Sequence, residues 1–156
     1  MSMSRRLVDL GFRALNRFHR GVWRASGGVL GGRAYGLEMV ELLTRGRRSG
    51  ATHSTMLLVP VSDEERLVVV ASKGGDARDP DWYLNLLADP RVVVRRRGRV
   101  RPMMARAVSS SEREQLWPEA VSRYPHYESY QRRAGRQIPM VMLYPVDDAA
   151  SRAGAS

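Results

Sequence analysis

Two short loops carry the side chains best suited to gripping an anion. Gly46-Arg47-Arg48-Ser49-Gly50 sets two guanidinium forks and a hydroxyl between glycines, and Ala71-Ser72-Lys73-Gly74-Gly75 ends an apolar run on a lysine. The chain has 26 Lys and Arg residues, and Lys73 is the single lysine among them. An arginine-favouring codon bias explains the skew, yet the exception offers a compact charge on a flexible stem in place of a flat, forked cation. Guanidinium forks hold phosphate oxygens in pairs, and glycines let a ligand approach the backbone closely. The first loop is no Walker motif, because it lacks the Gly-Lys-Ser/Thr ending and the following helix. Asp79-Pro80-Asp81 reads as a helix start with an acceptor at the N-cap and proline at the first helical position. Its free N–H groups make a third anion site, unless Asp79 and Asp81 already satisfy them. Taken singly, each loop reads equally well as a solvated turn.

Other chemistries are missing. No cysteine is present, which excludes disulfides, iron–sulfur ligation and thiolate catalysis. His19, His53 and His126 are far apart and form no metal-ligand spacing, so no metal is expected. A strand-helix GxGxxG dinucleotide fingerprint is also lacking. Tyr124, Tyr127 and Tyr130 recur every three residues and share a face if their segment is helical. Trp82 and Leu86, four apart, match a core pattern as well as a ligand contact.

The elements that must hold these residues are mostly strands. Short apolar runs at 37–43, 55–61, 67–71, 92–94, 100–108 and 138–144 are bounded by Gly, Pro or charge clusters, the pattern of a closed or nearly closed antiparallel sheet. One helix runs from Asp79 to Asp89, where Pro90 stops it. Ser111 with Glu114 forms a capping box for a second helix through Trp117. The fold class is mixed α+β, a β-barrel with peripheral helices.

Residues 4–24 precede this domain as an amphipathic helix. At about 100° per residue, Leu7, Val8, Phe12, Leu15, Phe18, Val22 and Trp23 fall on one side, and Arg6, Arg13, Arg17, Arg20 and Arg24 opposite. Gly27, Gly28, Gly31 and Gly32 make a hinge. The expected units are therefore 1–32 (helix and hinge), 33–146 (barrel) and 147–156 (polar tail). Such a helix lies on anionic lipid or packs on its own domain, and periodicity does not separate the two.

A formal charge of +10 and a pI near 11.1 draw phosphates, polyanions or anionic lipid heads. No stretch reaches the roughly 18 apolar residues of a membrane span, and the N-terminus lacks a secretion signal. A cytoplasmic location is expected, with peripheral contact on the inner face of the cell membrane. Arg91, Arg95, Arg96, Arg97, Arg99 and Arg101 make a basic hairpin that would attract nucleic acid. It lacks interleaved aromatics for base stacking, and a solvated, edge-protecting strand pair explains it at least as well. Nucleic acid is not the expected partner, and the oligomeric state is open.

Taken together, Gly46-Arg47-Arg48-Ser49-Gly50, Ala71-Ser72-Lys73-Gly74-Gly75, Asp79-Pro80-x-Trp82-Tyr83-x-Asn85-Leu86-x-Ala88-x-Pro90 and Tyr124-Pro125-x-Tyr127-x-x-Tyr130-Gln131 resemble the deazaflavin-dependent nitroreductase and quinone reductase family over residues 37–145. The resemblance implies a split β-barrel of the FMN-binding kind. It also implies binding of reduced coenzyme F420, a deazaflavin with a phosphodiester and an oligoglutamate tail. The expected reaction is hydride transfer to a quinone, nitroaromatic or similar electron-poor acceptor.

By that resemblance Arg47, Arg48, Ser49 and Lys73 hold the phosphate or tail. His53, Ser54, Thr55, Met56, Leu57 and Leu58, with Val70, Ala71 and Ser72, pass along the ring and ribityl chain. Asp81, Trp82, Tyr83, Leu84 and Asn85 complete the cofactor site. Tyr124, Tyr127 and Tyr130 face the substrate, with Ser72 and Tyr127 placed to hydrogen-bond charge accumulating on the acceptor. Arg48 stands where lysine is common in the family, and His53 where arginine is, which removes one tail contact or makes it pH-dependent. The alternatives are a split barrel using FMN or haem, and a non-enzymatic basic nucleic-acid-binding module.

Overall fold

The computed structural model describes residues 33–147; the expected amphipathic helix, its glycine hinge and the tail from residue 148 lie outside the described residues. The chain forms β1 (Arg33–Ala34), β2 (Leu37–Arg45), β3 (Thr52–Val59), β4 (Val61–Ser62) and β5 (Leu67–Val70). After a single 3-10 turn (Lys73–Gly75) come α1 (Asp81–Ala88), β6 (Arg91–Arg96), β7 (Arg99–Ala107), α2 (Ser110–Arg123), α3 (His126–Ala134) and β8 (Met140–Pro145). All six expected strands are present. β1 and β4, two residues each, are too short to leave a periodic signal.

Every strand pairing is antiparallel, in the order β1-β2-β6-β7-β8-β5-β4, with β3 on β2. The sheet curls until β3 packs beside β5, giving a split barrel with helices outside. Side-chain alternation explains the two fully apolar strands. Leu67 and Val69 of β5, with Val141 and Leu143 of β8, point into the barrel beside Val40, Leu42, Val92, Val94, Met103 and Ala105. Trp82 and Leu86 of α1 plug that interior. Val68, Val70, Met140 and Met142 point outwards and are covered by Ala120, Tyr124, Tyr127 and Ile138 from the α2–α3 region. Burying each such side chain contributes about 1.5–3 kcal/mol, so neither face of β5 or β8 tolerates a polar residue.

Several expectations need correction. The arginine hairpin does not protect an edge, because β6 lies between β2 and β7 and β7 between β6 and β8. Arg95 sits opposite Glu41 in register, and its Nη1 donates to the Glu41 carboxylate at 2.7 Å. Glu41 is wholly buried, so a neighbouring cation is what allows a carboxylate there. Arg96 grips Glu38 through two bonds of 2.9 Å. Arg97 Nε lies 3.0 Å from the same Glu38 carboxylate, so three of the six arginines neutralise acids on β2.

The capping box of α2 uses Ser109 and Glu112, two residues before the pair expected. Both pairs satisfy the Ser-x-x-Glu spacing. Glu112 also receives the Arg106 guanidinium at 2.7 and 2.8 Å, which favours the earlier start. The helix continues through Pro118 to Arg123. Asp79 does not cap α1, whose N-cap is Pro80 with no side-chain cap bond; the Asp79 carboxylate is taken by Arg136 at 2.8 Å. Among the described residues no helix is long and apolar enough to cross a membrane.

Candidate functional site

The β2–β3 register runs to Arg45 opposite Thr52, leaving residues 46–51 as a closed turn. Gly46 N–H donates to the Ala51 carbonyl at 2.7 Å and Gly50 N–H to that of Gly46 at 2.8 Å. A Cβ on Gly46 would meet His53 Nε2 at 2.7 Å and Ser49 Oγ at 2.8 Å, so any larger residue must push the imidazole and the hydroxyl aside. Arg48 and Ser49 are left exposed. Arg47 is tethered instead. Its backbone N–H and Nη1 donate to Asn85 Oδ1 at 3.2 and 2.9 Å, and its Nη2 lies 3.3 Å from Asp81.

Asn85 is buried on α1 and also donates to Thr44 Oγ1 at 3.4 Å. One amide therefore ties the cationic turn, the helix and β2 together. This is a bridging role within the fold.

Beyond β5 the backbone turns left-handed at three successive residues, Lys73 (φ 46), Gly74 (φ 63) and Gly75 (φ 84). A non-glycine residue there is strained by roughly 1–2 kcal/mol, so the fold holds Lys73 against its own preference. Gly75 abuts α3: a Cβ would lie 3.0 Å from the Tyr130 backbone. Downstream, the Arg78 guanidinium and N–H hold the Asp76 carboxyl well below the usual carboxylate range, so that acid stays charged.

The three tyrosines meet, though not on one helix. Tyr124 caps the end of α2, and Pro125 starts α3, which carries Tyr127 and Tyr130. Ring centroids lie 4.8 Å apart for Tyr124–Tyr127, 6.3 Å for Tyr124–Tyr130 and 6.4 Å for Tyr127–Tyr130. The Tyr124 and Tyr130 hydroxyls are 3.3 Å apart. Burial raises the pKa of Tyr127, and burial with the Tyr130 hydroxyl raises that of Tyr124. Both stay protonated at physiological pH and serve as hydrogen-bond donors rather than acids.

These parts line one open cleft of about 1360 Å³, larger than a typical small-molecule site of roughly 300–1,000 Å³. Its wall takes Arg47, Arg48 and Ser49 from the first loop, His53 to Leu58 from β3, and Val70, Ser72 and Lys73 from the second. It adds Asp81, Trp82, Leu84 and Asn85 from α1, with the three tyrosines. Two expected residues are absent from the wall. Ala71 is fully buried inside the barrel, and Tyr83 packs against that same core from outside.

Sequence reasoning missed Tyr35, Met39 and Arg78. Tyr35 is 75 % exposed with φ 54, edge-on to Tyr124 at 5.3 Å. A two-residue hairpin turn at Tyr35-Gly36 was its one signal.

The model of one protein family, described as F420H(2)-dependent quinone reductase, matches residues 15–145 and so spans every loop of the cleft. The chain belongs to the F420H(2)-dependent quinone reductase family. An F420H(2)-dependent quinone reductase of Mycobacterium tuberculosis is 33 % identical over 133 residues, covering 83 % of this chain and 89 % of its own. A second protein of that organism is 38 % identical over 101 residues, covering 65 % and 84 %. A solved structure described as an F420-H2 dependent reductase superposes with a TM-score of 0.61 at 38 % identity, covering 67 % of this chain and 92 % of that one. The quinone reductase family thus accounts for the split barrel and for the order of the loops around the cleft.

Proposed function

We propose that this protein binds reduced coenzyme F420 in the cleft and passes its hydride to a quinone. The carrying observation is that two separate cationic loops, one leading into the β3 wall and the other following β5, converge on one cleft in a member of this family. The donor set fits such a coenzyme: Arg48, Ser49 and Lys73 would hold its phosphodiester and acidic tail, and Met56, Leu57 and Leu58 would take the ring. Arg47, tied to Asn85 and Asp81, sets the turn's position as well as adding charge.

When bound, the coenzyme supplies a hydride, and the quinone takes one further proton to leave as a quinol. The chain's own contribution is orientation and electrostatics. Holding donor and acceptor within about 3–3.5 Å removes much of the entropic barrier. Tyr127 and Ser72 donate hydrogen bonds to the oxygen that gains charge, and Tyr124 and Tyr130 hold the acceptor ring by their faces. Solvent supplies the last proton, since the tyrosines are too weak as acids.

The arginine-rich amphipathic sequence pattern of residues 6–24 supports peripheral contact with anionic membrane, where quinones concentrate. Titrating oxidised F420 and, separately, FMN against the protein tests the cofactor assignment. F420 binds and FMN does not under this reading; preference for FMN refutes it.

A further inference from the structure

Arg136 is not on the cleft wall, yet its guanidinium reaches the second anion loop. Its Nε donates to the Asp76 carbonyl at 3.1 Å and its Nη1 to the Asp79 carboxylate at 2.8 Å. Its Nη2 is shared by the carbonyls of Ala71 (3.2 Å), Ser72 (3.4 Å) and Arg78 (3.1 Å). One guanidinium thus gathers five acceptors spread over residues 71–79. The Arg136 side chain is 17 % exposed, so these bonds are little weakened by water.

The other end of Arg136 is fixed to the tyrosine helix. Gly135 (φ 64) ends α3 in a left-handed turn, and Arg136 follows directly. Its backbone carbonyl accepts from Gln131 Nε2 on α3, whose Oε1 also accepts from the Ile138 N–H at 2.9 Å. On the loop side, Gly75 already rests on the Tyr130 backbone. The loop itself is strained at Lys73 and is closed by a single turn, with Gly75 N–H on the Ser72 carbonyl at 2.9 Å and Asp76 N–H on that of Lys73 at 3.2 Å. Something outside it must hold that shape.

We infer that Arg136 is a positioning residue: a pin that fixes the Ser72–Lys73 loop to the helix bearing Tyr127 and Tyr130. It sets the spacing between the coenzyme's anion grip and the acceptor's aromatic wall. The inference rests on the proposed function for its kinetic consequences, but the pin itself is a structural claim that can be tested without the coenzyme.

The test uses the full chain with Arg136→Gln, Arg136→Lys, Lys73→Ala and the Arg136→Gln/Lys73→Ala double variant. Arg106→Gln serves as a control that breaks a comparable pair on the Glu112 capping box. Hydrogen–deuterium exchange is followed in segments 71–81 and 124–131, and oxidised F420 is titrated by fluorescence.

Arg136→Gln should speed exchange in both segments while leaving β2 and β6 protected. It should weaken F420 binding about tenfold, yet by no more than about twofold once Lys73 is already alanine, because the pin acts through Lys73. The KM for menadione should rise with the coenzyme Kd. Arg136→Lys, which keeps the charge on Asp79 but not the fork, should fall between, and Arg106→Gln should lose stability without these effects. Unchanged exchange in 71–81, or full multiplication of the two losses in the double variant, would overturn the inference. Failure of the wild type to bind F420 would refute the proposed function instead, and the exchange data would still decide the pin.

Discussion

Lys73 and Arg47 show how much a side chain's surroundings add to its type. Both were legible in the sequence as cations between glycines, and both line the cleft. The tether from Arg47 to Asn85 and Asp81 was not legible, because it joins residues 38 positions apart through a helix whose packing only the fold decides. The residues therefore separate on substitution. Lys73→Ala or Arg48→Ala removes a charge-assisted contact worth roughly 1.5–3 kcal/mol. F420 affinity should fall on the order of tenfold, with little change in melting temperature. Arg47→Ala should lower both, since it also leaves the buried Asn85 amide short of a partner. Unchanged affinity in the first two variants would make these loops ordinary solvated turns. Tyr127→Phe tests the other side of the site. Loss of one neutral donor worth about 0.5–1.5 kcal/mol should reduce kcat/KM for menadione several-fold and leave F420 affinity unchanged. Because burial raises the Tyr127 pKa, the wild-type activity should show no tyrosine limb between neutral and mildly alkaline pH.

Strands and helices were easier to read than their ends and partners. The apolar runs of β5 and β8 identified themselves, since each is buried on both faces. The start of α2 did not, because three consecutive serines offer two capping boxes and the decision falls to Arg106 on β7. The Arg106 guanidinium, then the Ser109 N–H, lower the Glu112 pKa to about 2 from an ordinary 4.5. A carboxylate with a lowered folded pKa stabilises the fold fully above its unfolded value, and that contribution is lost as pH falls towards the folded one. Wild type should thus melt above Glu112→Gln at pH 6, and the gap should shrink between about pH 4.5 and 2. A gap independent of pH would mean that the ion pair adds nothing. The β2–β6 pair of Glu41 and Arg95 makes a second case. Arg95→Met alone takes the Arg95 cation from the buried Glu41 carboxylate, which keeps the Ser54 hydroxyl, and should cost up to about 3–5 kcal/mol in urea unfolding. Glu41→Leu/Arg95→Met together should recover most of that. The cross-strand partnership was hidden in the sequence, where the arginine hairpin read as solvated surface.

For the whole molecule, a closed or nearly closed antiparallel barrel followed from strand count and glycine turns, but which strands meet to close it did not. The approach of β3 to β5 brings the His53–Leu58 wall to the Ser72–Lys73 loop, and that approach depends on sheet curl rather than on any local signal. The residues before 33 carry a basic amphipathic pattern with their own consequence. At about 1 kcal/mol for each arginine near anionic lipid, full-length protein should sediment with anionic vesicles, and protein lacking residues 1–25 should bind F420 but not vesicles. A truncated protein that aggregates would instead mark the segment as part of the packed domain. The central claim concerns hydride transfer in the cleft. Under anaerobic conditions, protein, reduced F420 and menadione are mixed and the return of oxidised deazaflavin fluorescence is followed. Regeneration that depends on the protein and fails with NADPH as the donor is the predicted result. No protein-dependent oxidation of the reduced coenzyme, or equal menadione turnover with NADPH alone, would contradict it.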